Sequence, residues 1–182
     1  MQRLVVVTGW TGAGKSTMAN AIADDLECAV GSFDWLMSGL RAFPEVWEVV
    51  ELPVERQRSI GWSLLSRFAE QELRRGRSVV LDLVARDAPR EQWVALAAQY
   101  DAAVSVVECM CSDPALHRAR VEGRRRDIPG WYELEWEQVE RGRAAYVPLA
   151  EPKLVIDAVT PFVDNLALVR RHLGLDRPAD SR

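Results

Sequence analysis

A chain of 182 residues, 48% hydrophobic and 27% charged, has the make-up of about one globular domain, which excludes a disordered or collagen-like protein. Its formal net charge of −4, from 23 Lys plus Arg against 27 Asp plus Glu, disfavours a generally basic nucleic-acid binder but leaves room for a local basic patch. Apolar runs fall far short of the roughly 20 residues of a membrane span, no signal peptide with a cleavage site is evident, and three cysteines suit a reducing compartment, so a single cytoplasmic domain over residues 1–182 is expected.

Residues 3–8, with the run Val5-Val6-Val7, are expected to form a buried strand ending in a glycine-rich turn. The spacing of Met18, Ala19, Ile22, Ala23 and Leu26 predicts a helix over 15–26. Residues 29–33 read as a second strand that delivers Asp34, with a helix starting at Trp35. Pro53 suits the first turn of a long helix that reaches about Arg75 and stops at Gly76. A third strand over 78–83, an amphipathic helix over 87–100 and a fourth strand over 103–109 follow. Asp113-Pro114 opens a helix that carries arginines to about Arg126, and Pro129-Gly130 breaks it. Residues 132–146 read as helical, Pro148 and Pro152 mark a loop, 153–156 is a fifth strand and 161–173 a final helix. The tail 176–182 lacks apolar periodicity and is expected to fray. Five short apolar strands alternating with helices predict a three-layer α/β/α fold with a mostly parallel five-stranded sheet. Ligands of such sheets bind off the carboxyl ends of the strands, which would gather the turn at 9–16, Asp34 and Asp82.

Gly9-Trp10-Thr11-Gly12-Ala13-Gly14-Lys15-Ser16 fits the phosphate-loop pattern G-x-x-x-x-G-K-[ST], placed between a strand and a helix as the motif requires. Glycines let the backbone curl so that successive N–H groups, including those of Thr11 and Ala13, point at phosphate oxygens. The following helix presents its positive end to the same anion. Lys15 reaches the β- and γ-phosphates of ATP, the Ser16 hydroxyl ligates Mg²⁺, and Thr17 continues the helix or touches the α-phosphate. Only Lys15 and Lys153 are lysines in a chain that otherwise uses arginine, and one of them occupies the motif position.

Asp82 ends the strand Ser78-Val79-Val80-Leu81 and is placed to hold Mg²⁺ directly or through water. Leu83 follows it, not the glutamate that many motor ATPases use to activate water, and no Asn/Thr-Lys-x-Asp guanine motif occurs. Asp34 is the more telling carboxylate. At the end of the second strand it can accept a hydrogen bond from an acceptor hydroxyl and take its proton, and it can also cap the next helix.

The loop 9–17, Asp34, Val79-Val80-Leu81-Asp82 with Arg86, Val106-Val107-Glu108-Cys109 with Asp113-Pro114, then Arg120, Arg124 and Val155-Ile156-Asp157 appear in a familiar order. With them the chain resembles the small P-loop kinases related to chloramphenicol phosphotransferase, zeta toxin, gluconate kinase and polynucleotide 5′-hydroxyl kinase, over nearly its whole length. The resemblance implies a P-loop NTPase fold, ATP and Mg²⁺ as cofactors, Asp34 as general base and an arginine-rich lid over about 112–146. Polynucleotide kinases tend to carry an arginine three residues after that aspartate, and Met37 stands here instead, which disfavours a nucleic-acid acceptor. A small-molecule hydroxyl acceptor is expected, with a nucleoside or 5′-hydroxyl kinase and a non-catalytic ATP-sensing module as alternatives.

Arg120 and Arg124, four apart on an expected helix, would share one face and cover the transferred phosphoryl group, with Arg118, Arg125 and Arg126 nearby. Arg41 and Arg86 are candidates for an anionic part of the substrate, or are surface charges on helix ends. Trp35, Trp47 and Trp62 lie in the segment expected to wall the acceptor pocket. Cys109 and Cys111 alternate on one face without the partners of a metal site, and His117 and His172 are expected at the surface.

Overall fold

Leu4, Val5, Val6 and Val7 have no solvent exposure. By alternation Val5 and Val7 enter one apolar core while Leu4 and Val6 enter another. A strand buried on both faces belongs at the centre of a covered sheet. In the computed structural model, which describes residues 1–43, 45, 53–85, 90–150 and 152–175, this strand is β1 (Arg3–Gly9). It pairs on one side with β3 (Val79–Asp82) and on the other with β4 (Ala103–Met110), while β2 (Ala29–Ser32) and β5 (Leu154–Asp157) form the edges. The order is β2-β3-β1-β4-β5 and every ladder is parallel.

Helices cover both faces, giving the expected three layers. Met18, Ala19, Ile22 and Ala23 of α1 (Lys15–Leu26) and Val169 of α7 (Phe162–His172) pack into the core that holds Val5 and Val7. Cys109 and Cys111 join that core, and burial pushes the Cys109 thiol up to about 12. Leu65, Ala69 and Leu73 of α3 (Val54–Arg74) and Trp93 and Ala97 of α4 (Arg90–Ala98) fill the other. Among the described residues no helix is long and apolar enough to cross a membrane.

Three local expectations are corrected. The second strand stops at Ser32, and Asp34 lies in the first turn of α2 (Phe33–Arg41) instead of ending a strand. A carboxylate in a first turn faces the positive end of the helix dipole, which favours this placement. The helix expected to run to Arg126 is α5 (Pro114–Glu122), capped at its start by Asp113 and ended at Gly123. Arg124 therefore follows the helix and does not share a helical face with Arg120. The segment expected to be helical from 132 begins only at α6 (Trp136–Ala144), where Gln138 Oε1 accepts the Glu135 N–H at 2.9 Å. Arg86, Trp47, the first residues of the helix expected from 87 and the tail 176–182 lie outside the described residues.

The turn after β1 depends on Gly9. Its φ of +122° suits glycine alone, and a Cβ there would stand 1.9 Å from the Cys109 carbonyl oxygen. Gly9→Ala is expected to lower stability by at least about 2 kcal/mol, measured by denaturant unfolding, because strain and backbone collision act together.

Candidate functional site

The carboxyl ends of β1 and β3 lie side by side, with Val7 in register with Asp82. The loop that leaves β1 turns back into α1, so Lys15 and Ser16 open that helix beside Asp82. Ser16 Oγ donates to Asp82 Oδ2 at 2.7 Å. Lys15 is buried, and its Nζ donates to the Trp10 carbonyl at 3.0 Å. Burial lowers the pKa of the Lys15 ammonium, opposed by the charges of Asp82 and Asp34. Burial likewise raises Asp82, opposed by Lys15 and by the Ser16 hydroxyl. Each member of this pair is costly alone and is compensated by the other.

A hydroxyl paired with a carboxylate suits Mg²⁺, which keeps several waters and is shared with substrate phosphates. Among the described residues no cluster of three or more His, Cys, Asp or Glu forms a cage for a metal.

The segment after α5 closes over this edge through Arg126. Its Nη1 donates to Asp34 Oδ2, its Nη2 to the Tyr132 carbonyl at 2.6 Å, and its Nε to Glu133 Oε2 at 3.0 Å. The Arg126 backbone N–H also donates to Glu133 Oε1 at 2.9 Å. Glu133 further pairs with Arg124 at 3.4 Å. Burial works to raise Glu133, but the Arg126 N–H and guanidinium outweigh it and hold the carboxyl below its ordinary range. Burial lowers Arg124, as does the nearby charge of Arg126.

Two cavities meet at Asp34. The larger, about 880 Å³, runs from Gly12, Ala13, Gly14, Lys15, Ser16 and Thr17 past Arg120, Arg124 and Arg126 to Thr160 and Phe162 beyond β5. The smaller, about 280 Å³, lies between α2, α3 and the segment after α5, and it contains Thr11, Arg41 and Trp62. Lys15, Ser16, Asp34, Asp82 and Arg124 line both. Of the expected site residues, Gly9 lines neither cavity and instead sets the turn. Trp35 borders the larger cavity and is half exposed at 54%.

The AAA_33 family, described as an AAA domain, matches residues 4–149. The chain belongs to that family. No curated protein sequence matches it. Among solved structures it is similar to a sugar kinase from Janibacter sp. (18% identity, 96% of each chain covered, TM-score 0.68). A gluconokinase from Sinorhizobium meliloti (16% identity, 95% of each chain, TM-score 0.61) is also similar. So is a shikimate kinase from Bacteroides thetaiotaomicron (18% identity, 95% of this chain and 98% of that one, TM-score 0.59). Their shared architecture is the fold of ATP-binding P-loop kinases, as the resemblance implied.

Within this AAA_33 chain, His117 departs from expectation. It is fully buried, not at the surface, whereas His172 is exposed as expected. His117 Nε2 lies 2.7 Å from the Thr11 carbonyl oxygen, so the proton sits on Nε2, and Nδ1 has no hydrogen-bond partner among the described residues. Its ring stacks on Trp10 at 5.9 Å and meets Trp136 edge-on at 5.3 Å, while the Arg143 guanidinium lies 4.7 Å over Trp10. The phosphate loop is thereby bonded to α5 and α6. A histidine amid arginines carries no periodicity that would mark it as buried, so sequence reasoning misses it. Likewise, nothing in the arginine run singles out Arg126 as the partner of Asp34.

Burial lowers the His117 pKa, with Arg143, Lys15 and Arg120 adding to the effect and the Thr11 bond opposing it. The unfolded chain binds this proton first as pH falls, so the stabilisation is complete above the ordinary value of 6.5 and is lost below it. Thermal unfolding followed from about pH 7.5 to about pH 5.5 is expected to show a steeper loss of melting temperature in the natural chain than in His117→Phe.

Proposed function

We propose that this AAA_33 protein is an ATP-dependent kinase that transfers the γ-phosphate to a hydroxyl of a small-molecule acceptor in the cytoplasm. The observation that carries the reading is the position of Asp34 on the wall shared by two cavities, one containing the phosphate loop and the other large enough for a small acceptor. The likeness to structures of sugar, gluconate and shikimate kinases supports it. Leu83 after Asp82 supports transfer over hydrolysis, because no carboxylate stands there to activate water.

In this mechanism the loop from Gly12 to Thr17 and the Lys15 ammonium bind the phosphates, and Lys15 exchanges the Trp10 carbonyl for phosphate oxygen. Ser16 and Asp82 would hold Mg²⁺, which supplies charge neutralisation on the β- and γ-phosphates. Asp34 accepts the proton of the attacking hydroxyl, and its oxygen is released for this when Arg126 turns to the phosphoryl group. Arg120 and Arg124 cover the transferred group and exclude water, as closing lids do. Arg41 contacts the acceptor, and Arg86, the other candidate for that contact, lies outside the described residues. The Arg126 contact means that the resting base is tied to the lid, so lid movement and base availability are one event.

Asp34→Asn is expected to leave Mg·ATP affinity nearly unchanged and to lower phosphate transfer to the acceptor by about 10²–10⁴-fold. Calorimetry of nucleotide binding and steady-state kinetics check the two halves. Unchanged turnover in the Asp34→Asn variant would instead favour a nucleotide-sensing module. Lys15→Met is expected to weaken ATP binding and transfer together, since it removes the cation that the phosphates meet.

A further inference from the structure

Among the described residues, the lining of the smaller cavity has an uneven charge. Asp34 and Asp82 are its described acids, against Lys15, Arg41, Arg58, Arg124 and Arg126. Three of those cations have their carboxylates at the phosphate end: Lys15 beside Asp82, Arg126 on Asp34 and Glu133, and Arg124 on Glu133. Arg58 does not. It is half-buried in the second turn of α3 and forms no ion pair or side-chain hydrogen bond with any described residue. Across the cavity Arg41, the last residue of α2, holds its guanidinium 4.7 Å from the Tyr132 ring centre and 4.9 Å from that of Trp131.

Beside the polar Thr11, Ser32 and Gln57, much of the remaining wall is aromatic or apolar: Trp131 and Tyr132 stack on each other at 5.2 Å, and Trp62, Phe33 and Met37 add to it. Close packing of the helices builds this surface. A Cβ on Gly61 would stand 2.1 Å from Phe33 Cε2, so the glycine lets the Phe33 ring of α2 lie directly against α3 beside the cavity.

We infer that the acceptor carries an anionic group, a carboxylate or a phosphate, beside a planar apolar face, and that Arg58 together with Arg41 binds that anion. The inference rests on the kinase reading only for the word acceptor; the anion site stands on the cavity itself. A guanidinium half removed from water gains most from a bidentate, charge-assisted partner, which a neutral polyol does not offer. The aromatic wall favours a ring over a flexible chain.

The test measures binding to the full chain by calorimetry, with the phosphate loop saturated by Mg²⁺ and a non-hydrolysable ATP analogue so that free anions cannot use it. The probes are 4-(hydroxymethyl)benzoate, 4-(hydroxymethyl)phenyl phosphate and the neutral 4-(hydroxymethyl)benzamide. At least one anion is expected to bind about tenfold or more tightly than the amide, and the stronger one names the anion. Arg58→Met is expected to reduce that preference to about twofold, with Arg58→Lys in between and melting temperatures confirming that both variants fold. Equal binding of anions and amide, no binding by any probe at millimolar concentration, or a preference that survives Arg58→Met would each overturn the assignment. Label transfer from Mg·ATP to the same probes reads the kinase proposal separately. Selective anion binding without transfer would sink that proposal and leave the anion site standing.

Discussion

A buried ammonium must have negative charge within reach, and the arrangement around Lys15 follows from that requirement. Its ammonium is out of water, bonded to the Trp10 carbonyl and balanced chiefly by Asp82. Asp82 is itself buried and is stabilised by Lys15 and the Ser16 hydroxyl. The all-parallel sheet makes this balance possible, because it delivers the ends of β1, β3 and β2 to one edge. Lys153, the other lysine, is half-buried with its side chain largely covered, and its ammonium stands 2.5 Å from Glu108. A chain that uses arginine almost everywhere thus keeps both lysines for compact buried contacts, where a single point charge fits better than a planar fork.

The stretch from α5 to Glu133 adds a second layer to this edge. Arg126 joins Asp34 to Glu133 and the Tyr132 carbonyl, and His117 joins α5 to the phosphate loop at Thr11. The first contact is between ions at a partly open surface and is readily exchanged for another anion. The second is a neutral bond inside a box of Trp10 and Trp136, and it is built to persist. One end of this stretch is therefore held by His117, while the other carries Arg124 and Arg126, which line the cavity.

Much of the fold is legible in the chain because it rests on local patterns. The Val5-Val6-Val7 run, the apolar face of α1 and the glycine-rich turn each have one physical reading, and together they dictate a covered parallel sheet. The phosphate loop is legible for the same reason, and Asp82 stands out as the carboxylate that ends a wholly apolar strand. The arginine-rich stretch after β4 is legible only as a composition. Gly123 ends α5 early, so Arg124 and Arg126 are placed by loop geometry and by Glu133, which periodicity does not encode. His117 is illegible because burial of a lone polar side chain is decided by tertiary neighbours, here Trp10 and Trp136, far apart in sequence. The shift of Asp34 from strand end to first helical turn is a smaller matter, since both positions lie at the same sheet edge.

The proposed kinase reading has phosphate passing to a hydroxyl and not to water. It is tested most directly by following labelled γ-phosphate from Mg·ATP to a panel of antibiotics, nucleosides, sugar acids, activated sugars and a 5′-hydroxyl oligonucleotide, with a water-only lane alongside. A labelled product with a small-molecule acceptor, absent from the water-only lane, is expected. Slow release of inorganic phosphate at the same rate in every lane would contradict it.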